Sequence, residues 1–232
     1  MKSTTNNSQK VKKLTIIALF CAMSFIVSII LPIKVMFLTL DFKDTISTIC
    51  GMFFGPVSGL VCATIVPFLE YFTTGSATRE YGLIMNLLSS ITFVGVSTLI
   101  YKYKKTIWGA IIGLVTAVFA TVAVMLVANL YITPFYMGVT QDVVVDLIPK
   151  LILPFNLVKT ILNAGITMLI YKPVSKVLKR MGLAKSNSSV KDANTVVNSA
   201  SKTRSLIVTV VSAIIIVIAF LILFLVLGGK IS

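Results

Sequence analysis

The chain has 232 residues, of which 57% are hydrophobic and 12% charged, and its mean hydropathy is +1.01. Its apolar runs are continuous and approach the roughly 20 residues that cross a bilayer, which excludes an outer-membrane β-barrel. The net charge of +14 lies in basic clusters beside these runs, as expected of anchors next to anionic lipid. We therefore predict an all-α integral membrane protein of the cell membrane that contacts the lipid bilayer and binds no nucleic acid.

The composition offers few residues for catalysis or metal binding. There is no histidine, and the seven acidic residues form no close motif. Cys21, Cys50 and Cys62 lie within apolar runs, which is typical of small packing residues. No Walker A loop is present, so the chain is not expected to hydrolyse ATP. We expect no enzyme activity, no catalytic residue, no metal and no cofactor.

The first predicted span, residues 11–31, follows a basic tail that we place in the cytoplasm, residues 1–10. It carries Ala18 and Ala22, a pair of small residues whose spacing admits a neighbouring helix. The next apolar run, residues 45–73, is interrupted by Gly55 and Pro56. We predict two short helices here, because a single span would place the basic loop at 102–105 outside, against the positive-inside rule.

Three further spans are predicted at residues 81–101, 108–130 and 153–171, with a long outer loop at 131–149. The segment 34–44 is too short to span and too apolar for a plain loop, so we expect an extended cover over the outer mouth of the bundle. Within it, Asp41 and Asp44 either cap the following helix or contact a ligand.

The C-terminal part differs in composition from the rest. Residues 181–204 are polar and predict a flexible cytoplasmic linker. Residues 205–228 are nearly pure Ile, Val and Leu and predict a seventh span, separable from the others, that serves as an anchor or contacts another membrane protein. The predicted domains are the tail 1–10, a six-helix substrate-binding domain 11–180, the linker 181–204 and the C-terminal helix 205–228.

The sixth span contains the most informative polar residues. Asn156, Lys159 and Asn163 occur at i, i+3 and i+7, and so lie on one helix face. A buried ammonium group costs several kcal/mol unless it faces protein or a water-filled cavity. Lys159 therefore lines a binding site, reaches the membrane interface, or pairs with a carboxylate such as Glu70.

Other polar residues are predicted near the same end of the bundle. Glu70, Asn86 and Asn129 are placed in the outer halves of their spans, beneath the 34–44 segment. A mostly apolar pocket with a few amides and one amine suits a flat apolar ligand with polar edges.

Four motifs, in this order and spacing, resemble the riboflavin-binding S components of energy-coupling factor vitamin transporters. They are FLTLDFKD at 37–44, GMFFGPVSG at 51–59, ANLYITPFY at 128–136 and PFNLVKTILN at 154–163. The resemblance implies a six-helix transmembrane bundle, not an enzyme, that binds riboflavin for uptake by an ATP-driven importer. The implied partners are a membrane coupling protein and two cytoplasmic ATPases.

The resemblance also implies roles for individual residues. Thr39, Leu40 and Asp41 would belong to a segment that covers the flavin, and Asn129, Asn156 and Lys159 would contact it. Ala18 and Ala22 would form the docking pair for the coupling protein. Glu70, Asn86 and Asn163 are added as substrate-binding residues from the polar-cavity argument alone.

Two alternatives remain open on the sequence. The same architecture could bind another vitamin or heterocycle, since amides and an amine suit several ligands. The chain could instead be a membrane flavin-supply protein that serves an extracellular redox system, with the seventh helix, which the six-helix family pattern lacks, as its docking element.

Overall fold

A computed structural model describes residues 2–74, 79–180 and, in the C-terminal segment, 210, 212–214, 216–219 and 221. The predicted helical architecture is confirmed, with a short hairpin between the first two helices. The elements in chain order are α1 (Lys2–Ile30), β1 (Ile33–Val35), β2 (Leu38–Leu40), α2 (Lys43–Phe54), α3 (Pro56–Thr74), α4 (Arg79–Tyr103), α5 (Ile107–Met137), α6 (Gln141–Leu147), a π-helical turn (Ile148–Ile152) and α7 (Leu153–Arg180).

Within the described part, four helices are long and apolar enough to cross a membrane: Lys10–Ile30, Pro56–Thr73, Glu80–Tyr103 and Ile107–Met137. They correspond to the predicted first, third, fourth and fifth spans. The predicted second and sixth spans are α2, which has only 12 residues, and α7, which carries the polar stripe. These two less apolar helices lie against the other helices of the bundle, where their polar groups find protein partners.

The predicted break at Gly55 and Pro56 is confirmed. Gly55 follows α2 with a φ of 101°, a conformation that favours glycine, and its N–H donates to the Gly51 carbonyl. Pro56 then opens α3, where its missing N–H costs no hydrogen bond. The two helices approach closely, since a Cβ atom at Gly59 would lie 2.8 Å from the Gly51 Cα.

The segment predicted to be extended forms the antiparallel hairpin β1–β2, which we call the hairpin. Val35 pairs with Leu38 across a tight turn in which Met36 has a φ of 52°. Val35 and Leu40 are fully buried in an apolar cluster with Leu151 of the π-helical turn and with residues of α7 such as Phe155 and Leu162. Burial of these side chains therefore ties the hairpin to α7.

The predicted outer loop at 131–149 is wrong, because most of these residues are helical. α5 continues to Met137 and ends only at Gly138, which adopts the left-handed conformation, while Pro134 is accommodated inside the helix. α6 and the π-helical turn then lead directly into α7. α7 also continues past the predicted exit at Tyr171, since Pro173 lies within the helix.

The predicted linker at 181–204 lies outside the described residues, as do the ends of the predicted seventh helix. The described residues between 210 and 221 are helical. They are not separate from the bundle, because Ala219 is buried in the cluster that holds Val35 and Leu40.

Candidate functional site

A cavity of about 440 Å³ lies beneath the hairpin, at the end of the bundle where α3 and α5 finish and α4 and α7 begin. This volume is within the range of small-molecule sites. Six of the predicted binding residues line it: Thr39, Asp41, Glu70, Asn86, Asn156 and Lys159. The predicted convergence of polar residues from separate spans is therefore observed for Glu70, Asn86, Asn156 and Lys159, while contact of any of the six with a ligand stays a prediction. Leu40, Asn129 and Asn163 are not in the cavity wall.

Lys159 joins α7 to the hairpin. Its side chain is 8% exposed, and Nζ donates to the Asp41 carboxylate at 2.9 Å and to the Thr39 carbonyl at 3.2 Å. An ammonium group has three donors, so these two bonds leave one that can meet a ligand in the cavity. Lys159 thus pairs with a carboxylate, Asp41, and also lines the cavity, whereas Glu70, the partner named from the sequence, pairs with Lys43. Contact of Lys159 with a ligand stays a prediction.

A second buried lysine, Lys43, extends this network. It is 1% exposed, pairs with Glu70, and lies 3.8 Å from the Asp41 carboxylate. Glu70 also accepts a hydrogen bond from Asn86 Nδ2 at 2.6 Å. Sequence reasoning missed Lys43, although the order Asp41-Phe42-Lys43-Asp44 before an apolar helix places a cation between two acids.

The charge of Asp41 follows from its neighbours. Burial of the carboxyl group raises its pKa, but the positive charges of Lys159 and Lys43 outweigh this and hold the pKa below its ordinary value of 3.8. Asp41 is therefore ionised at neutral pH. Its Oδ1 is buried without a hydrogen-bond partner among the described residues, so this polar atom is left for a ligand or water.

The prediction that Asp41 or Asp44 caps α2 is wrong. Phe42 occupies the capping position, and its side chain makes no capping bond. Asn163 of α7 fulfils this role, because its Oδ1 accepts from the Thr45 N–H at 3.1 Å and from the Thr45 hydroxyl at 2.9 Å. Its Nδ2 donates to the Asp41 carbonyl at 2.9 Å. Asn163 is thus occupied with α2, which explains its place outside the cavity wall.

The other two asparagines differ in their position. Asn129 is fully buried within α5, donating to the Met125 carbonyl at 2.7 Å and accepting from the Thr133 hydroxyl at 3.0 Å. Asn156 lies at the start of α7, donates to the Ile152 carbonyl at 2.8 Å, and lines the cavity. Asn156 is therefore placed for direct contact with a ligand, whereas Asn129 supports the wall behind Met125.

Aromatic side chains close the cavity on the side of the hairpin. Phe37, in the hairpin turn, meets Tyr136 of α5 edge to face with ring centroids 5.9 Å apart. Tyr136 lies 6.1 Å from Tyr81 of α4. Phe37 and Tyr136 line the cavity together with Phe155. Sequence reasoning gave these aromatic residues no role, although Phe37 and Tyr136 both fall in the motifs that carried the resemblance.

The predicted docking pair lies away from the cavity. Ala18 and Ala22 are both exposed on α1, while Cys21 and Ser24 of the same helix are buried. Cys21, Cys50 and Cys62 are free and buried, in agreement with their predicted packing role. α1 therefore exposes both alanines, and their role in docking a partner stays a prediction.

Comparisons with known proteins agree with this geometry. The family described as ECF transporter, substrate-specific component, matches residues 12–171. The chain is 30% identical to the riboflavin transporter RibU of Staphylococcus aureus (strain TCH60), over 75% of this chain and 96% of that protein. It is 24% identical to the riboflavin transporter FmnP of Bacillus subtilis (strain 168), over 70% and 91%. The solved structure of an S component of a bacterial ECF transporter superposes with a TM-score of 0.63 at 28% identity, over 73% of this chain and 99% of that one.

Proposed function

Because this chain belongs to the family of substrate-specific components of ECF transporters, we propose that it binds riboflavin with high affinity and delivers it for uptake across the cell membrane. The observation that carries the proposal is the cavity beneath the hairpin, which combines apolar and aromatic walls with Asn156 and Lys159. Relatives named as riboflavin transporters support the choice of ligand.

The chemistry of the cavity suits a flavin. Phe37, Phe155 and Tyr136 provide apolar surface for a flat ring system. Asn156 can both donate to a carbonyl and accept from an imino group, and Lys159 has a donor for a carbonyl or hydroxyl oxygen. Asn86 and Glu70 line the wall as well, where they can meet a polyol chain.

Uptake requires partners in this proposal, since the chain itself is not an enzyme. A membrane coupling protein would dock on the exposed strip at Ala18 and Ala22, and two cytoplasmic ATPases would supply the energy. The N-terminus would be cytoplasmic, so that the cavity opens to the outside. Ala18→Trp tests the docking strip: we expect unchanged riboflavin binding by the purified chain and loss of riboflavin uptake in cells.

The ligand is tested by titrating riboflavin with purified protein and following the quenching of flavin fluorescence. We expect tight binding by the wild type, weakened tens-fold or more by Lys159→Ala, because a hydrogen bond from a charged donor contributes about 1.5–3 kcal/mol. Asn156→Ala should weaken binding about tenfold, because a ligand polar group left without a partner costs about 1–3 kcal/mol. Lys176→Ala is the matched control, since Lys176 is exposed on the same helix.

The outcomes separate ligand from site. Absence of quenching by the wild type would exclude riboflavin and leave another heterocycle as the ligand of this cavity. Binding that survives both substitutions would keep riboflavin as the ligand and place its site elsewhere.

A further inference from the structure

The described residues of the C-terminal helix belong to the same apolar cluster as the hairpin. Ala219 is 3% exposed and lies in the cluster that contains Val35 and Leu40 of the hairpin and Phe155 of α7. Ile216 packs against this cluster from the same helix. The helix therefore packs into the same apolar cluster as the element that covers the cavity.

The helix has two distinct faces. Ser212 and Ala219 are buried and Ile216 is half-buried, at a spacing that places all three on one side. The residues on the other side are apolar and at least half exposed: Val210, Ile214, Val217, Ile218 and Leu221. Small residues on the buried side allow close approach of two helices.

The contact with α7 centres on Gly165. A Cβ atom at Gly165 would lie 3.0 Å from Cγ1 of Ile216 and 3.7 Å from the Ser212 carbonyl oxygen. Ile216 thus meets the middle of α7, while Ala219, one turn later, belongs to the cluster of α7 residues nearer its start, which includes Phe155 and Leu162. The helix therefore runs antiparallel to α7, toward the cavity. It lies outside the part matched by the family, which ends at residue 171.

We propose that the C-terminal helix is a clamp within the same chain, which packs on α7 and the hairpin and slows ligand release by holding the hairpin over the cavity. The hairpin provides Phe37, Leu38 and Thr39 to the cavity wall, so its position determines how easily a ligand leaves. The effect on ligand release rests on the proposed riboflavin site, whereas the packing of the C-terminal helix on α7 does not depend on that site.

The packing is tested by disulfide formation in the full-length chain. With Gly165→Cys and Ile216→Cys, the two Cβ atoms fall within reach of a disulfide, which needs a separation of about 3.5–4.5 Å. We expect oxidation to join the two residues within one chain. The control pair Gly165→Cys with Val217→Cys keeps the natural cysteines but places the second thiol on the exposed face, and should not join.

The two possible failures of this test are informative. A disulfide-linked dimer would show that the helix packs on a second copy, and no disulfide would show that it does not pack on α7. Either result would overturn the clamp.

The effect on the ligand is tested by the rate of riboflavin release, followed as recovery of flavin fluorescence after dilution. Ala219→Leu adds bulk to the cluster that holds Val35 and Leu40 of the hairpin, and we expect release about tenfold faster with an unchanged association rate. Val217→Leu, on the exposed face, should leave release unchanged.

A purely structural role predicts a different result. Ala219→Leu would then lower Tm of the empty protein without changing release, and this would overturn the clamp. If Ala219→Leu fails to fold, Ala219→Val provides the same comparison with a smaller change. Failure of the wild type to bind riboflavin would refute the proposed ligand while leaving the disulfide result intact.

Discussion

Replacing Lys43 by methionine removes a cation that lies between two carboxylates. Lys43 is 1% exposed, pairs with Glu70 and lies 3.8 Å from the Asp41 carboxylate. Removing one partner of a buried ion pair costs about 3–5 kcal/mol, because the other charge remains buried. Glu70 is 13% exposed and keeps its bond from Asn86, so we expect the lower end of that range. For a chain of this length this lowers Tm by roughly 10 °C.

The test is a double-mutant cycle on the purified full-length protein, with thermal unfolding followed by far-ultraviolet circular dichroism. The double mutant Lys43→Met, Glu70→Gln removes one charge of each sign and keeps an acceptor for Asn86. It should therefore recover more than half of the stability that Lys43→Met alone loses. Lys176→Met, an exposed change in α7, is the control and should leave Tm unchanged. If the losses of stability from Lys43→Met and Glu70→Gln simply add in the double mutant, the two charges do not interact and the charge argument is refuted.

Three further predictions follow from single positions. Asn163→Ala should lower the free energy of unfolding by about 1–2 kcal/mol, because the Thr45 N–H and hydroxyl lose the Asn163 Oδ1 acceptor and the Asp41 carbonyl loses its Nδ2 donor. Unchanged stability with lost riboflavin binding would instead make Asn163 a ligand contact. Gly55→Ala should cost about 1 kcal/mol in chemical denaturation because its φ is 101°, whereas helical Gly95→Ala should not. A carboxylate with a lowered pKa stays ionised until the pH falls toward that pKa, and only then does its contribution to the binding site disappear. Because the pKa of Asp41 is lowered, we expect constant riboflavin affinity from about pH 8 to 5. A decline centred near pH 6 would contradict this.

The parts of the fold that were predictable depend on local rules. Gly55 and Pro56 each restrict the backbone in a way that ends one helix and begins another, and the structure breaks there. The i, i+3 spacing of Asn156 and Lys159 placed both on one helix face, and both line the cavity. Such features involve only neighbours along the chain, so the sequence suffices to predict them.

The parts that were not predictable depend on partners distant in sequence. Lys43 and Glu70 are 27 residues apart, and Lys159 and Asp41 are 118 apart. Periodicity shows which face of a helix is polar but does not show what that face meets. Asn163 has the same sequence signature as Asn156, yet it binds Thr45 of α2 and does not line the cavity.

The buried ion pairs formed by Lys43 and Lys159 contribute to the position of the hairpin. Replacing a buried ion pair by apolar residues of similar size is often neutral or stabilising. Stability alone therefore does not explain why charged residues occupy these buried positions. Apolar packing of Val35 and Leu40 attaches the hairpin to α7, but such contacts are not directional. Lys159 adds directed bonds to Thr39 and Asp41, at the point where the hairpin meets α2. The ion pairs thereby fix the hairpin in one register over the cavity, which apolar packing by itself would not specify.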